Sequence, residues 1–357
     1  LMKKILLAVI IILFSSCKHT TNNSKEQLGK LIFFDNSLSE PAGVACATCH
    51  RPEKGFADTL SRPFSEGSLP GLFSNRTTMT IAYSKYIPPL QYDTLQQLWV
   101  GGLFWDGRAN SLSHQVGFPF VNMLEMRNTS EEMVVEKIKK AAYYNILCEI
   151  YGKSNDVKTI FNNVADAIAA YQKSDEVNKF SSKFDLYIEG KVKLSQQEME
   201  GYDIFKVKGQ CASCHILDPD PQAGKILFTD YSYDNLGIPK NPHSTYYHQP
   251  QFNPDTTNWI DLGLGVTVKN TEENGKFRVP TLRNIELTAP YGHNSYFTTL
   301  EDIIHFYNVR DISEEYPPAE YPQTINSEEL GNLQMTLKEE QALVAFLKTL
   351  TDGYKVN

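Results

Sequence analysis

A mainly α fold in two halves, linked by long loops, follows from three features of this chain of 357 residues. A five-residue signature occurs twice, as Cys46-Ala47-Thr48-Cys49-His50 and as Cys211-Ala212-Ser213-Cys214-His215. Each copy is preceded by apolar residues at helical spacing, and convincing runs of strand-like alternation are few. The length accommodates two domains, each with its own core. Outside the signature the halves differ, so the duplication is one of pattern and not a short tandem repeat.

The chain begins with Lys3-Lys4, ten apolar residues from Ile5 to Phe14, and then Ser15-Ser16-Cys17. That order reads as an export signal, because a membrane span needs about 20 apolar residues. A cysteine directly after two small residues resembles a bacterial lipoprotein signal, which implies lipidation of Cys17; plain secretion or an uncleaved anchor is the competing reading. Residues 1–17 are therefore read as signal, 18–25 as a polar tether, 26–180 as a first domain built around Cys46 to His50, and 181–357 as a second built around Cys211 to His215. An exported, periplasmic or cell-envelope protein is expected.

Leu28 to Asp35 is expected to form a helix leading to the first signature. The stretch after His50, with Pro52, Gly55, Pro63, Gly67, Pro70 and Gly71, is too irregular for a long element. Helical periodicity is read at Asp93 to Leu98 and again from Ser130, a cap followed by Glu131-Glu132 in the positive first turn, through Ile150. Asp156 to Tyr171 carries apolar residues at three- and four-residue spacing. Lys173 to Gly190 reads as the passage between domains. Ser195 and Glu198 have capping-box spacing ahead of the second signature. A long loop from Asp218 to Gln251 follows, and Leu337 to Leu350 closes the chain as an amphipathic helix.

Two thiols three residues apart can each add to a vinyl group of one haem, and the adjoining histidine is placed to ligate the iron. A lone Cys-x-x-Cys also serves as a redox dithiol or as half a zinc site. Two complete copies in a chain with six cysteines and eight histidines point to covalent haem instead. The expected fold is thus mainly α, with two cytochrome c-like haem domains and long loops, carrying two haem c groups on Cys46, Cys49, His50 and on Cys211, Cys214, His215. Cys148 reads as a small buried hydrophobe. A net charge of −8 and the absence of a long basic run argue against nucleic acid and suit a basic electron donor.

Further segments surround the two haem motifs in order: Leu28-Gly29-Lys30 with Phe33-Phe34-Asp35, Gly55-Phe56-Ala57-Asp58, Trp105-Asp106-Gly107-Arg108-Ala109, Phe118 to Met126, Phe277 to Asn284, and Thr288-Ala289-Pro290-Tyr291. In these the chain resembles, nearly end to end, the bacterial diheme cytochrome c peroxidases and their methylamine-utilisation relatives. The resemblance implies that the His50 haem meets hydrogen peroxide, with Glu125 as distal acid and base. A lone glutamate is otherwise a cap or surface carboxylate. Pro119 matches a residue limiting access to the iron. Trp105 matches a tryptophan between the haems, though by itself it reads as a core aromatic. Arg108 reads as a propionate or ion-pair residue.

Two departures from the family pattern matter. No histidine lies between His50 and His114, so the first haem is expected to be five-coordinate or water-bound unless Met79, Lys54 or Lys85 ligates it. The second haem, where electrons would arrive, faces Pro290-Tyr291-Gly292-His293 where many relatives have a methionine. Tyr291, Tyr296 and His293 are the local candidates for its distal ligand, and a phenolate would stabilise oxidised iron. The resemblance also implies a calcium ion between domains, for which Asn75 is the nominee. The expected activity is reduction of peroxide to water, with electrons from a small cytochrome c or cupredoxin. Oxidation of a protein or organic substrate through high-valent iron and simple electron carriage are the alternatives, and a homodimer is an open assembly.

Overall fold

The computed structural model describes residues 24–58 and 64–356. The export segment, Cys17 and the tether up to residue 23 lie outside the described residues. Among the described residues, eleven α-helices and four very short strands are joined by loops and 3-10 turns. In chain order they are α1 (Lys25–Phe33), α2 (Cys46–Cys49), β1 (Gln91–Asp93), β2 (Leu98–Val100), α3 (Leu112–Val121), α4 (Glu131–Lys140), α5 (Tyr144–Tyr151), α6 (Val157–Gln172) and α7 (Lys183–Ile188). Then come α8 (Gln196–Lys206), β3 (Tyr233–Asp234), α9 (Leu264–Val268), β4 (Phe277–Arg278), α10 (Leu300–Val309) and α11 (Leu337–Lys348). The strands form two antiparallel pairs, β1 with β2 and β3 with β4. No helix among the described residues is long and apolar enough to cross a membrane.

Capping side chains set the helix starts. Ser24 accepts from Gln27 N, Ser130 from Met133 N and Asp156 from Thr159 N. Ser195 with Glu198, and Thr336 with Glu339, form reciprocal capping boxes on α8 and α11. Three expectations need correction. Residues 93–98 are the closing end of the β1–β2 hairpin, with Asp93 paired to Leu98 across a turn at 94–97 and Tyr92 edge-on against Trp99 in the strands; this cross-strand aromatic pair outweighs a short helical pattern. The helix read from 130 to 150 breaks between α4 and α5. Cys148 is only partly buried, since Leu147 is the residue of that turn that enters the core.

Apart from a small cluster of Leu103, Ala109, Leu112 and Ala169, the buried apolar residues gather into two large cores. One joins α1, α3, α4, α5 and α6 through Leu28, Phe33, Phe120, Val134 and Ile168. The other joins α7, α8, α10 and α11 through Phe184, Phe205, Phe306 and Phe346. Each depends on a crossing at a glycine. A Cβ on Gly29 of α1 would lie 1.8 Å from the Ala167 carbonyl oxygen on α6, and one on Gly201 of α8 would lie 1.9 Å from the Ala342 carbonyl oxygen on α11. Both helices that deliver a Cys-x-x-Cys-His segment are therefore in backbone contact with their partners.

Gly29→Ala and Gly201→Ala are each expected to destabilise the protein by about 1–3 kcal/mol or more, since the obstructing atoms are backbone and cannot rotate away. Gly117→Ala in α3 meets only the Phe161 ring, at 3.3 Å. It is expected to be neutral, or stabilising by up to about 1 kcal/mol. Urea unfolding of the three variants followed by circular dichroism checks the contrast.

Candidate functional site

At each signature the chain makes one tight turn that sets the histidine beside its cysteines. His50 N donates to the Cys46 carbonyl at 2.9 Å, and His215 N to the Cys211 carbonyl at 2.8 Å. Each ring is then oriented by one bond from Nδ1 to a backbone carbonyl, His50 to Phe56 at 3.1 Å and His215 to Phe228 at 2.8 Å. With Nδ1 engaged, Nε2 is the nitrogen left for a metal. Burial holds both imidazoles below their ordinary pKa, that of His215 to about 4, with the carbonyl bonds opposing. The neutral, ligating form is therefore the one present at neutral pH.

Burial also pushes the Cys46, Cys49 and Cys211 thiols up to about 12, and the Cys214 thiol up as well. A reactive dithiol needs the opposite shift. The donor set thus fits haem: an oriented neutral imidazole beside two unionised thiols, at the mouth of a cavity. When bound, haem supplies an iron that changes oxidation state.

The cavity at His215 has a volume of about 230 Å³ and includes Cys211, Cys214, Phe205 and Leu347 in its wall; that at His50 is about 150 Å³ and includes Cys49, Pro119 and Glu125. They share a wall made by Thr77, Met79, Thr80, Trp105 and Arg278. Trp105 is fixed at both ends. Its Nε1 donates to the Thr77 carbonyl at 2.9 Å, and its own carbonyl accepts from Arg278 N at 2.9 Å. The halves are tied here by charge as well. Arg76 donates to Asp106 at 2.6 Å and, through two nitrogens, to Asp261 at 2.7 Å.

Glu125 stands in a tight loop after α3. Glu125 N donates to the Asn122 carbonyl, Met126 N to the Pro119 carbonyl, and Ser68 N caps the Glu125 carbonyl. Inside the helix Pro119 has no N–H to offer the Gln115 carbonyl, which opens α3 where both residues line the His50 cavity. Burial raises the Glu125 pKa, while nearby Arg108 and a 2.7 Å bond from Asn122 Nδ2 to Oε1 lower it in part. The balance is a carboxyl poised above the ordinary glutamate range.

The remaining candidates divide. Arg108 forms an ion pair with Asp106 at 2.8 Å and lies over the Phe104 ring at 3.6 Å. Asn75 lines the His50 cavity. His50 is the only histidine there among the described residues, and His114 is exposed against Phe118. Met79 faces both cavities, but Lys85 donates to the Lys173 carbonyl and Lys54 is exposed. At the other haem site Tyr291 lines the cavity with its hydroxyl donated to the Ile285 carbonyl at 2.9 Å. His293 also lines it, stacked on Phe277 with ring centroids 3.6 Å apart, whereas Tyr296 is not part of the wall. Sequence reasoning missed Tyr307, Met335 and Arg278, which also line this cavity. The first two sit far along the chain from the Pro-Tyr segment, and no local pattern marks them.

Two such sites sharing one wall define a c-type protein built for two haems. The sequence profile of the di-haem cytochrome c peroxidase family matches residues 23–193. Over 346 residues, 91% of this chain and 88% of the other, it is 33% identical to the methylamine utilization protein MauG of Paracoccus denitrificans. Over 333 residues, 92% of this chain and 80% of the other, it is 30% identical to the cytochrome c551 peroxidase of Nitrosomonas europaea. Its fold is similar to that of the diheme peroxidase BthA from Burkholderia thailandensis, with a TM-score of 0.82 and 33% identity, covering 92% and 86% of the two chains. The chain belongs to the di-haem cytochrome c peroxidase family that includes the MauG proteins; it is an oxidoreductase of that family, with two haem c groups.

Asn122→Ala removes the bond that favours ionised Glu125, so the Glu125 carboxyl is expected to titrate at higher pH than in the unmodified protein. The infrared band of its protonated carboxyl, followed against pH, checks the direction.

Proposed function

We propose that the chain is a peroxidase that reduces hydrogen peroxide to water, with electrons supplied one at a time by a small redox protein. The observation that carries this reading is the half-buried Glu125 carboxyl in the cavity of His50, whose wall includes a tryptophan that also walls the cavity of His215. Asn122 occupies Oε1, which leaves Oε2 to take the proton from one peroxide oxygen and return it to the other, so that the leaving group departs as water and not as hydroxide. Two electrons and two protons complete the conversion of one peroxide to two waters. Pro119 narrows the approach to this cavity. Trp105 offers a polarizable ring between the sites and supports electron passage from the His215 side. A net charge of −8 favours a basic donor, and the reading extends to an exported protein tethered through Cys17.

A second reading, oxidation of a protein or organic substrate, is favoured by the phenols Tyr291 and Tyr307 in the wall of the His215 cavity and by the likeness to MauG. Steady peroxide consumption with reduced cytochrome c supports the first reading. Oxidation of an added phenol or protein by peroxide, without turnover of cytochrome, supports the second.

Glu125→Gln is expected to lower kcat/KM for peroxide by about 10²–10⁴-fold with haem content unchanged. An unchanged rate would place proton transfer elsewhere. The ionised carboxylate is the active base and burial raises its pKa. Activity is therefore expected to fall as pH drops through a value above the ordinary glutamate range, and this acid limb is expected to vanish in Glu125→Gln. Trp105→Phe is expected to slow electron delivery to the His50 haem in stopped-flow reduction, with both haem spectra retained.

A further inference from the structure

We propose that Arg278 is the centre of a carboxylate-binding site shared by the two haem cavities, and that its ligands are propionates of both haems. Arg278 is 5% exposed and lies in the wall common to the cavities. A guanidinium does not shed its proton in a protein, so the charge is permanent. The other deeply buried arginine side chains have partners for it. Arg283 holds Asp185 through two nitrogens, Arg76 holds Asp106 and Asp261, and Arg310 holds Asp311. Arg278 forms no ion pair among the described residues. Its Nε donates to the Phe104 carbonyl at 3.3 Å, and Nη2 reaches only the Met79 sulfur at 3.7 Å, a weak acceptor.

Leaving a buried cation in that state costs several kcal/mol. The main chain that carries it is fixed in place. Arg278 N is bonded to the Trp105 carbonyl, and the residue pairs with Tyr233 across β3 and β4. Each haem carries two propionates, anions that need donors when they are withdrawn from water. A fork of N–H donors facing both cavities meets that need on both sides of the wall.

The consequence is electrostatic. A fixed positive charge near both irons favours the reduced state of each, so one side chain raises both reduction potentials together. The inference rests on the presence of two haems and not on the peroxide reading, so it stands or falls separately from that reading.

The test is a spectroelectrochemical titration of the haem-loaded protein and of Arg278→Gln and Arg278→Lys, with redox-difference infrared spectra of protein carrying ¹³C-labelled propionates. Arg278→Gln is expected to lower both midpoint potentials and shift propionate bands of both haems. Arg278→Lys is expected to hold the potentials while shifting the bands, since charge is kept and the fork is lost. Unchanged potentials in fully loaded Arg278→Gln, or movement at only one haem, would overturn the shared site. Native potentials that follow acetate or chloride concentration would identify a solvent anion as the ligand and overturn it too. If Arg278→Gln fails to load haem, the lysine variant decides: unshifted propionate bands overturn the proposal.

Discussion

Trp105 is held where the two cavities meet by two backbone carbonyls, its own and that of Thr77. Much of the rest of the molecule fixes those carbonyls. Electron exchange between two sites falls steeply with the gap between them, so a relay residue must not drift. Thr77 is immobilised from the second half, with its N–H on the His293 carbonyl and its hydroxyl on the Gly292 carbonyl. The residue that receives Trp105, Arg278, belongs to a strand of the second half, while Trp105 follows the β1–β2 hairpin of the first. Neither half forms the wall alone.

The two glycine crossings serve the same end from further away. Close contact of α1 with α6, and of α8 with α11, gives each half a rigid helix pair from which the cysteines and histidine are hung. A larger residue at either glycine would push the delivering helix outward, and the error would be carried to the cavity mouth. Packed interiors pass on such displacements because they contain little free volume to absorb them.

What could be read from the sequence follows from how local each requirement is. Haem attachment needs two thiols and an imidazole in one turn, so Cys46 to His50 and Cys211 to His215 announce themselves. Helices with their own caps, such as those begun by Asp156, Ser195 and Thr336, are legible for the same reason. Glu125 is different. Its chemistry comes from burial, Asn122 and Arg108, and it was found only because its surroundings resemble a known pattern. The segment 93–98 misled because its helical spacing is short and the decisive contact, Tyr92 with Trp99, spans the hairpin. Arg278 was read only as part of the Phe277 to Asn284 segment, because nothing in that run shows that its side chain is buried or short of partners.

Charge is distributed unevenly around the shared wall, and the asymmetry bears on function. Arg76, Arg108, Asp106 and Asp261 close on one another, two cations with two anions, so this cluster contributes little net field beyond its own contacts. That leaves Arg278 as a cation of the wall with no ion-pair partner among the described residues, and Glu125 as the carboxyl with an unengaged oxygen in the His50 cavity. In a low-dielectric interior such charges act over longer distances than they would in water. The cation lies in the wall of both cavities, whereas Glu125 lines that of His50 alone and the acidic side chains in the wall of the other cavity are Asp234 and Glu329. Two attachment sites of nearly identical local build are thereby made chemically unequal by residues outside both signatures.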